Sequence, residues 1–148
     1  MAAAAKQQIT ARIVLVDPPK GVAFALQRGK SELASMTTAS GKTLAFDFTF
    51  QVSRGDDGLP RFSGEFVQGP ARGKFVYINS GTSAGQYGSP WTRRAKIGLQ
   101  SLDWPTLERA AKAPRAVLQA RIAGQHKDGG PACATVPLLD GGWTLLGA

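Results

Sequence analysis

The sequence predicts a mainly β protein, an antiparallel barrel or sandwich with one short α-helix. Three observations support this class. Apolar residues alternate with small or polar ones along several segments, which is the period of a strand with one buried face. Clusters of Gly, Pro and Asp interrupt these segments at intervals of about 8 to 12 residues. Only one segment carries start and stop signals for a helix.

The clearest strand is predicted over residues 44–52, where every second residue is large and apolar: Leu44, Phe46, Phe48, Phe50 and Val52. Residues 9–16 show the same alternation through Ile9, Ala11, Ile13 and Leu15, and residues 22–28 through Val22, Phe24 and Leu26. Between the last two segments lies Asp17-Pro18-Pro19-Lys20-Gly21. This turn chemistry predicts that they form a hairpin.

A second turn, over residues 54–60, leads into a strand predicted over residues 61–68, in which Gly64 indicates a bulge or bend between Phe62 and Phe66. After a turn at residues 70–73, residues 74–79 are apolar on both faces, which favours a central strand. Residues 92–100 predict another strand, with Ala95, Ile97 and Leu99 on one face and Arg94, Lys96 and Gln100 on the other.

The helix is predicted over residues 103–112, with Asp103 as N-cap, Pro105 in the first turn and Pro114 as terminator. The remaining predicted extended segments are residues 115–124, a run that follows a turn at residues 128–131 and ends near Leu139, and residues 143–146. With 148 residues and 43% hydrophobic composition, the chain is expected to form one domain over residues 1–148. Residues 1–7 are expected to be a flexible extension.

Cellular location follows from what the sequence lacks. It contains no apolar run of transmembrane length and no secretory signal at its start, so a membrane partner is not expected. Cys133 is the single cysteine, so no disulfide can form within the chain. These features predict a cytoplasmic protein; they do not indicate an oligomeric state.

Positive charge is spread along the chain. Residues 1–74 carry 10 Lys and Arg against 6 Asp and Glu, and the rest carries 8 against 4, so each part contributes +4 to the net charge of +8. A diffuse excess of this kind predicts weak attraction to polyanions and no dedicated basic tail.

Catalytic motifs are weak. Ser40-Gly41-Lys42-Thr43 matches the end of a phosphate-binding loop, but Met36 replaces the first glycine and a strand follows where a helix is needed. His126, Asp128 and Cys133 could approach one another across a hairpin as a thiol and its base, yet no oxyanion hole is apparent. One His and one Cys cannot form a structural zinc site, and Asp56-Asp57 lacks the ligand spacing of a calcium loop. Asp47 and Glu65 are the first carboxylates to consider as a hydrolytic pair. No metal or cofactor is predicted, and non-enzymatic function is favoured.

The segment best suited to a ligand is residues 80–96. A Gly81 to Gly88 loop could act as a lid, Tyr87 and Trp91 offer stacking faces, and Arg93, Arg94 and Lys96 offer cations. Strand alternation places Arg94 and Lys96 on one face and Arg93 on the other. The leading hypothesis is a non-enzymatic module that binds a small anionic ligand. The alternatives are a weak nucleic-acid-binding protein, for which no helix-turn-helix or aromatic RNA-binding motif is present, and an enzyme whose site the sequence does not reveal.

Lys74-Phe75-Val76-Tyr77-Ile78-Asn79-Ser80-Gly81, followed after a variable loop by Arg93-Arg94-Ala95-Lys96-Ile97, resembles the central signature of a family of small uncharacterised bacterial proteins of unknown function. The Phe-rich strand, Gly64-Glu65-Phe66-Val67-Gln68-Gly69 and Pro131-Ala132-Cys133 extend the resemblance over most of the chain. It implies a bacterial, one-domain, stand-alone protein, and it brings no catalytic residues.

Overall fold

The structure is a computed structural model that describes residues 6–28, 32–38, 42–69, 74–81, 91–125, 134–135, 138–139 and 141–148. Within these residues ten strands and one helix occur in this order: β1 (Gln7–Val16), β2 (Ala23–Arg28), β3 (Glu32–Thr38), β4 (Thr43–Arg54), β5 (Pro60–Ser63), β6 (Phe75–Gly81), β7 (Trp91–Gly98), α1 (Trp104–Lys112), β8 (Val117–Ala123), β9 (Ala134–Thr135) and β10 (Thr144–Leu146). The prediction of a mainly β fold with one short helix is confirmed.

The strands form two five-stranded sheets. Sheet A has the order β10-β8-β1-β4-β5, and sheet B has the order β3-β2-β6-β7-β9. Most neighbours are antiparallel, as predicted, but β1 pairs with β8 and β7 pairs with β9 in parallel. Each sheet is therefore mixed, with antiparallel pairs in the majority.

Strands β1 and β4 show how alternation builds the core. Their register places Ile13 opposite Phe46 and Ile9 opposite Phe50. Residues paired in this way project from the same face of a sheet. Every predicted inward residue of β1 and β4 is buried except Leu44, which is half-buried against the core. The predicted strand over residues 44–52 is thus confirmed and extends to Arg54.

One apolar core is shared by both sheets and the helix. Its cluster of buried side chains includes Phe48 and Leu118 from sheet A, Phe24 and Ile78 from sheet B, and Leu107 from α1. Strand β6 lies between β2 and β7. The prediction that residues 74–79 form a central strand is confirmed.

The predicted hairpin around residues 17–21 is wrong. The turn exists, with positive φ at Asp17 and Gly21, but it carries the chain from sheet A to sheet B instead of pairing β1 with β2. Strand β2 is buried on both faces, since every residue from Ala23 to Gln27 is 2% exposed or less. A strand of this kind is stabilised between two neighbours, β3 and β6, and turn chemistry does not specify those partners.

The predicted strand over residues 61–68 is shorter in the structure. Strand β5 ends at Ser63, and Gly64 has φ +146, so the chain turns there. A Cβ at Gly64 would lie 3.2 Å from the Cα of Phe50, a tight contact, and the positive φ by itself disfavours any residue with a side chain. Phe62 and Phe66 nevertheless both pack against the core, as their predicted common face requires.

Helix α1 begins and ends where the sequence predicts. The Asp103 side chain accepts a hydrogen bond from the Thr106 backbone N–H at 3.0 Å, and Pro105 lies in the first turn. Hydrogen bonds from the Thr106 side chain and from this backbone N–H lower the pKa of Asp103 below its ordinary value, with a smaller contribution from the charge of Arg109. The described part of the chain has no helix that is long and apolar enough to cross a membrane.

Candidate functional site

The outer face of sheet B carries an aromatic and basic patch, which we name the basic face: Phe75, Tyr77, Asn79, Arg94 and Lys96. In the register of β6 and β7, Asn79 lies opposite Arg94 and Tyr77 lies opposite Lys96. The alternate residues of both strands, such as Val76 and Ala95, are buried in the core. The pleat therefore presents all five side chains on the side of sheet B away from the core.

Arg94 is held in place from two directions. Its Nε donates a hydrogen bond to Oδ1 of Asn79 at 3.1 Å, and its guanidinium carbon lies 5.1 Å from the centre of the Tyr77 ring. Asn79 is only 6% exposed, whereas Arg94 itself is exposed. Because Nε makes the anchoring bond, the two terminal amino groups of the guanidinium are left to bind a ligand.

Lys96 repeats this arrangement two residues along the strand. Its Nζ lies 3.8 Å from the centre of the Phe75 ring. Each cation thus contacts the aromatic ring diagonal to it on β6, an arrangement in which the ring face attracts the charge. The two positive groups share one sheet face, as the sequence predicted for Arg94 and Lys96.

Neither cation is neutralised by a carboxylate in the part of the chain that the structure describes. Ion pairs in this part of the chain include those of Arg12 with Asp47, Arg28 with Glu65, Arg61 with Asp57 and Lys112 with Glu108. Within the described residues, the basic face is therefore a surface of two cations, two aromatic rings and one amide. Such a set can hold an anion and stack against a planar group.

Of the other residues predicted to bind a ligand, the structure describes only the strand positions of Trp91 and Arg93. Trp91 and Arg93 belong to β7, opposite Gly81 and Ser80, and Arg93 takes the register position alternate to that of Arg94, as predicted. Their side chains are not described, and Tyr87 lies outside the residues that the structure describes. Of the predicted Gly81 to Gly88 lid, Gly81 belongs to β6 and the rest also lies outside the described residues. The structure thus brings together Arg94 and Lys96 from the predicted set.

Sequence reasoning missed the three members of the basic face that β6 provides. Phe75, Tyr77 and Asn79 recur at every second residue, which is a signal for one common face. Their pairing with Arg94 and Lys96 depends on the register of β6 against β7. That register is not predictable when a long loop of small residues joins two strands.

A cleft of about 480 Å³ opens elsewhere, between the β4–β5 hairpin and the beginning of α1. One wall is formed by Arg54 and residues 58–62, and the other by residues 100–105. Its lining is mainly apolar, with arginine side chains on the hairpin wall. No sequence pattern predicts this cleft, because its two walls come from segments about 40 residues apart in the chain.

Asp47 and Glu65, the carboxylates considered as a hydrolytic pair, each form an ion pair with an arginine. Asp47 accepts hydrogen bonds from Nε and Nη2 of Arg12 at 2.7 and 3.1 Å, and Glu65 lies 3.7 Å from Arg28. The hydrogen bonds and charge of Asp47 raise the pKa of Arg12. These contacts fit structural ion pairs on the exposed surface, and Glu65 lies in the turn after β5 and not on a strand.

Most of the remaining candidate catalytic and phosphate-binding residues lie outside the part of the chain that the structure describes. The predicted hairpin of His126, Asp128 and Cys133 and the predicted turn at Ser40 and Gly41 lie outside the residues that the structure describes. Among the residues that are described, no group of three His, Cys, Asp or Glu side chains could hold a metal ion.

A family model described as "Family of unknown function (DUF5990)" matches residues 9–146. The search of curated proteins gave no significant match. The search of solved structures gave none either. The match extends from within β1 to the end of β10, so the predicted resemblance to an uncharacterised family is confirmed.

Proposed function

The chain belongs to the DUF5990 family of unknown function, and we propose that it is a non-enzymatic binding module for a small anionic ligand. One observation supports this proposal above all: Asn79 orients the guanidinium of Arg94 on a face where Lys96 is the neighbouring cation. An anchored guanidinium loses less side-chain freedom when it binds a carboxylate or phosphate, and its fork matches their oxygens.

The aromatic rings of the basic face extend the proposal to partly planar ligands. Tyr77 and Phe75 are half-buried, so an edge or face of each ring remains accessible beside the cation that it contacts. A ligand with an anionic group and a flat body can therefore place its charge at Arg94 and Lys96 and its body over the rings. Tyr87 and Trp91 are proposed as further stacking surfaces and Arg93 as a third cation.

Thermal-shift measurements with a panel of phosphorylated and carboxylated metabolites test the proposal. Hydrogen bonds to charged groups contribute about 1.5–3 kcal/mol each, so Arg94→Ala with Lys96→Ala should abolish the shift that a binding metabolite produces. Arg94→Lys, which keeps the charge and loses the fork, should weaken it. Asn79→Ala should weaken it as well, because the guanidinium is no longer anchored.

The matched control is Lys6→Ala with Lys20→Ala, which removes an equal number of positive charges at exposed positions elsewhere. This control should keep the full shift. Equal losses in both double variants would mean that diffuse charge attracts the anion, and an unchanged shift in Arg94→Ala with Lys96→Ala would refute the site. Affinity for mixed RNA or DNA that falls steeply with salt would favour nucleic-acid binding in its place.

We further infer that the two sheets pack face to face as a sandwich and that the protein is a bacterial, cytoplasmic one. The shared core and the two separate strand orders support the sandwich. Outside the named strand pairs, the described residues show isolated bridges, from Gln68 to Phe75 and from Ile122 to Leu138. A closed barrel would need continuous strand pairing at such places. The single cysteine supports a reducing compartment.

A further inference from the structure

The cleft between the β4–β5 hairpin and α1 has the size and lining of a site for a small organic molecule. Its volume of about 480 Å³ falls within the range of roughly 300 to 1,000 Å³ that is usual for ligand pockets. Leu102 is 5% exposed at its base, and the half-buried rings of Phe62 and Trp104 stand on opposite walls. Two aromatic rings and an aliphatic base favour a flat, apolar body.

Leu59, at the rim of the cleft, is a further reason to expect an apolar ligand there. It is 48% exposed, one of few large hydrophobic side chains in the described part of the chain with so much accessible surface. A ligand that covers Leu59 would remove this apolar surface from water, which is favourable. Contact with Leu59 at the rim therefore adds to the stability of a ligand bound in the cleft.

Two arginines on the hairpin wall differ in what they already bind. Arg61 is engaged, since its Nη2 donates to Oδ2 of Asp57 at 3.1 Å and its Nη1 donates to the Pro60 carbonyl at 3.5 Å. Arg54 is exposed, and among the described residues no hydrogen bond or ion pair occupies its guanidinium. Arg54 is thus the cation of the cleft that is open to an anionic group.

The opposite wall fixes the orientation of such a ligand. Asp103 carries the negative charge of the cleft, and its carboxylate caps α1 through the Thr106 N–H. An anionic group is repelled by Asp103 and attracted by Arg54, so it belongs at the hairpin wall. Its apolar body then lies toward Leu102 and Trp104.

We propose that this cleft is a second binding site, distinct from the basic face, and that it takes a small arylcarboxylate, with Arg54 as the partner of the carboxylate. The proposal is independent of anion binding at the basic face. The ligand differs in kind too, because the cleft selects an apolar body with one charge at its end.

Titration with 2-naphthoate, followed by NMR of the tryptophan indole N–H signals, tests the site directly. Addition of 2-naphthoate should shift the Trp104 signal, which Trp104→Phe identifies by its disappearance, and should leave the Trp143 signal in place. The neutral analogue 2-naphthylmethanol should bind at least about tenfold more weakly, because a charge-assisted hydrogen bond contributes that much or more. Octanoate, with a flexible body, should bind more weakly than 2-naphthoate.

Variants at the hairpin wall separate charge from shape. Arg54→Ala should raise the Kd for 2-naphthoate about tenfold or more, and Arg54→Lys should recover part of the loss. Leu59→Glu should weaken binding strongly and Leu59→Gln only mildly, since the two side chains have nearly the same size and differ in charge. Both positions are exposed, so these variants should fold.

Three results would overturn the proposal. Equal affinity for 2-naphthoate and 2-naphthylmethanol would show that Arg54 does not bind the carboxylate. An unshifted Trp104 signal at saturation would show that 2-naphthoate does not bind in the cleft. Loss of 2-naphthoate binding in Arg94→Ala with Lys96→Ala, with binding retained in Arg54→Ala, would assign this ligand to the basic face instead.

Discussion

Gly124 follows β8 at a point where the backbone leaves no space for a side chain. Its N–H donates to the Val16 carbonyl at 2.8 Å, and a Cβ added to it would lie 2.6 Å from the Cα of Pro18. Pro18 is buried in the turn that carries the chain from sheet A to sheet B. The obstruction is rigid backbone, which cannot rotate away as a side chain can.

Gly124→Ala is therefore expected to destabilise the protein by about 1–3 kcal/mol, the usual cost of overpacking. Gly98→Ala is the matched control. Its Cβ would lie 2.5 Å from Oε1 of Gln100, but that amide ends a flexible, exposed side chain that can move. Urea unfolding should show a change of about 0.5 kcal/mol or less for Gly98→Ala. Equal effects of the two substitutions would contradict the steric explanation.

At the same scale, sequence reasoning identified individual cations and not their partners. The alternation of β7 was sufficient to place Arg94 and Lys96 on one face, because side-chain direction within a strand follows from sequence spacing alone. The ring that each cation contacts and the amide that anchors Arg94 come from β6. Contacts between strands depend on register, which the sequence of one strand does not contain.

Helix α1 is the element that the sequence predicted most completely, because its signals are local. Asp103, Pro105 and Pro114 act within a few residues of the helix ends that they define. The pairing of β1 with β8 shows the contrary situation, since Ala11 pairs with Leu118, from which most of the sequence separates it. The wrong hairpin at residues 17–21 has the same origin: a turn reverses the chain without choosing the partner of the next strand.

The cap of α1 gives a pH-dependent contribution to stability with a definite sign. Hydrogen bonds from the side chain and the backbone N–H of Thr106 lower the pKa of Asp103 in the folded state, while the unfolded chain keeps the ordinary value of about 3.9. The stabilisation is thus fully present above the unfolded value and is lost as pH falls through the lower, folded value.

Urea midpoints measured for the native protein and Asp103→Asn between about pH 2.5 and pH 7 test this sign. Asparagine also caps helices but does not titrate in this range, so it serves as the matched control. The native protein should lose more stability than Asp103→Asn as the pH falls below about 4. Parallel curves would show that the Asp103 carboxylate does not prefer its ionised form in the fold.

On the scale of the whole molecule, Trp143 joins the two sheets. It immediately precedes β10 in sheet A, packs against the shared core, and donates a hydrogen bond from Nε1 to the carbonyl of Gly98 in sheet B at 3.2 Å. Helix α1 also contributes Leu107 to the same core. The sheets are therefore expected to unfold together, because neither has an apolar cluster of its own in the described residues.

Trp143→Phe keeps an aromatic ring in the core and removes the hydrogen bond, so it should reduce the free energy of unfolding by about 1 kcal/mol. Trp104→Phe is the matched control, since no hydrogen bond from its indole occurs among the described residues, and its effect should be smaller. In both variants, far-UV circular dichroism and tryptophan fluorescence should follow one urea transition with the same midpoint. Separate midpoints for the two signals in Trp143→Phe, with one shared midpoint kept in Trp104→Phe, would mean that the contact between Trp143 and Gly98, and not the shared core, holds the sheets together, because both variants lose the same ring area.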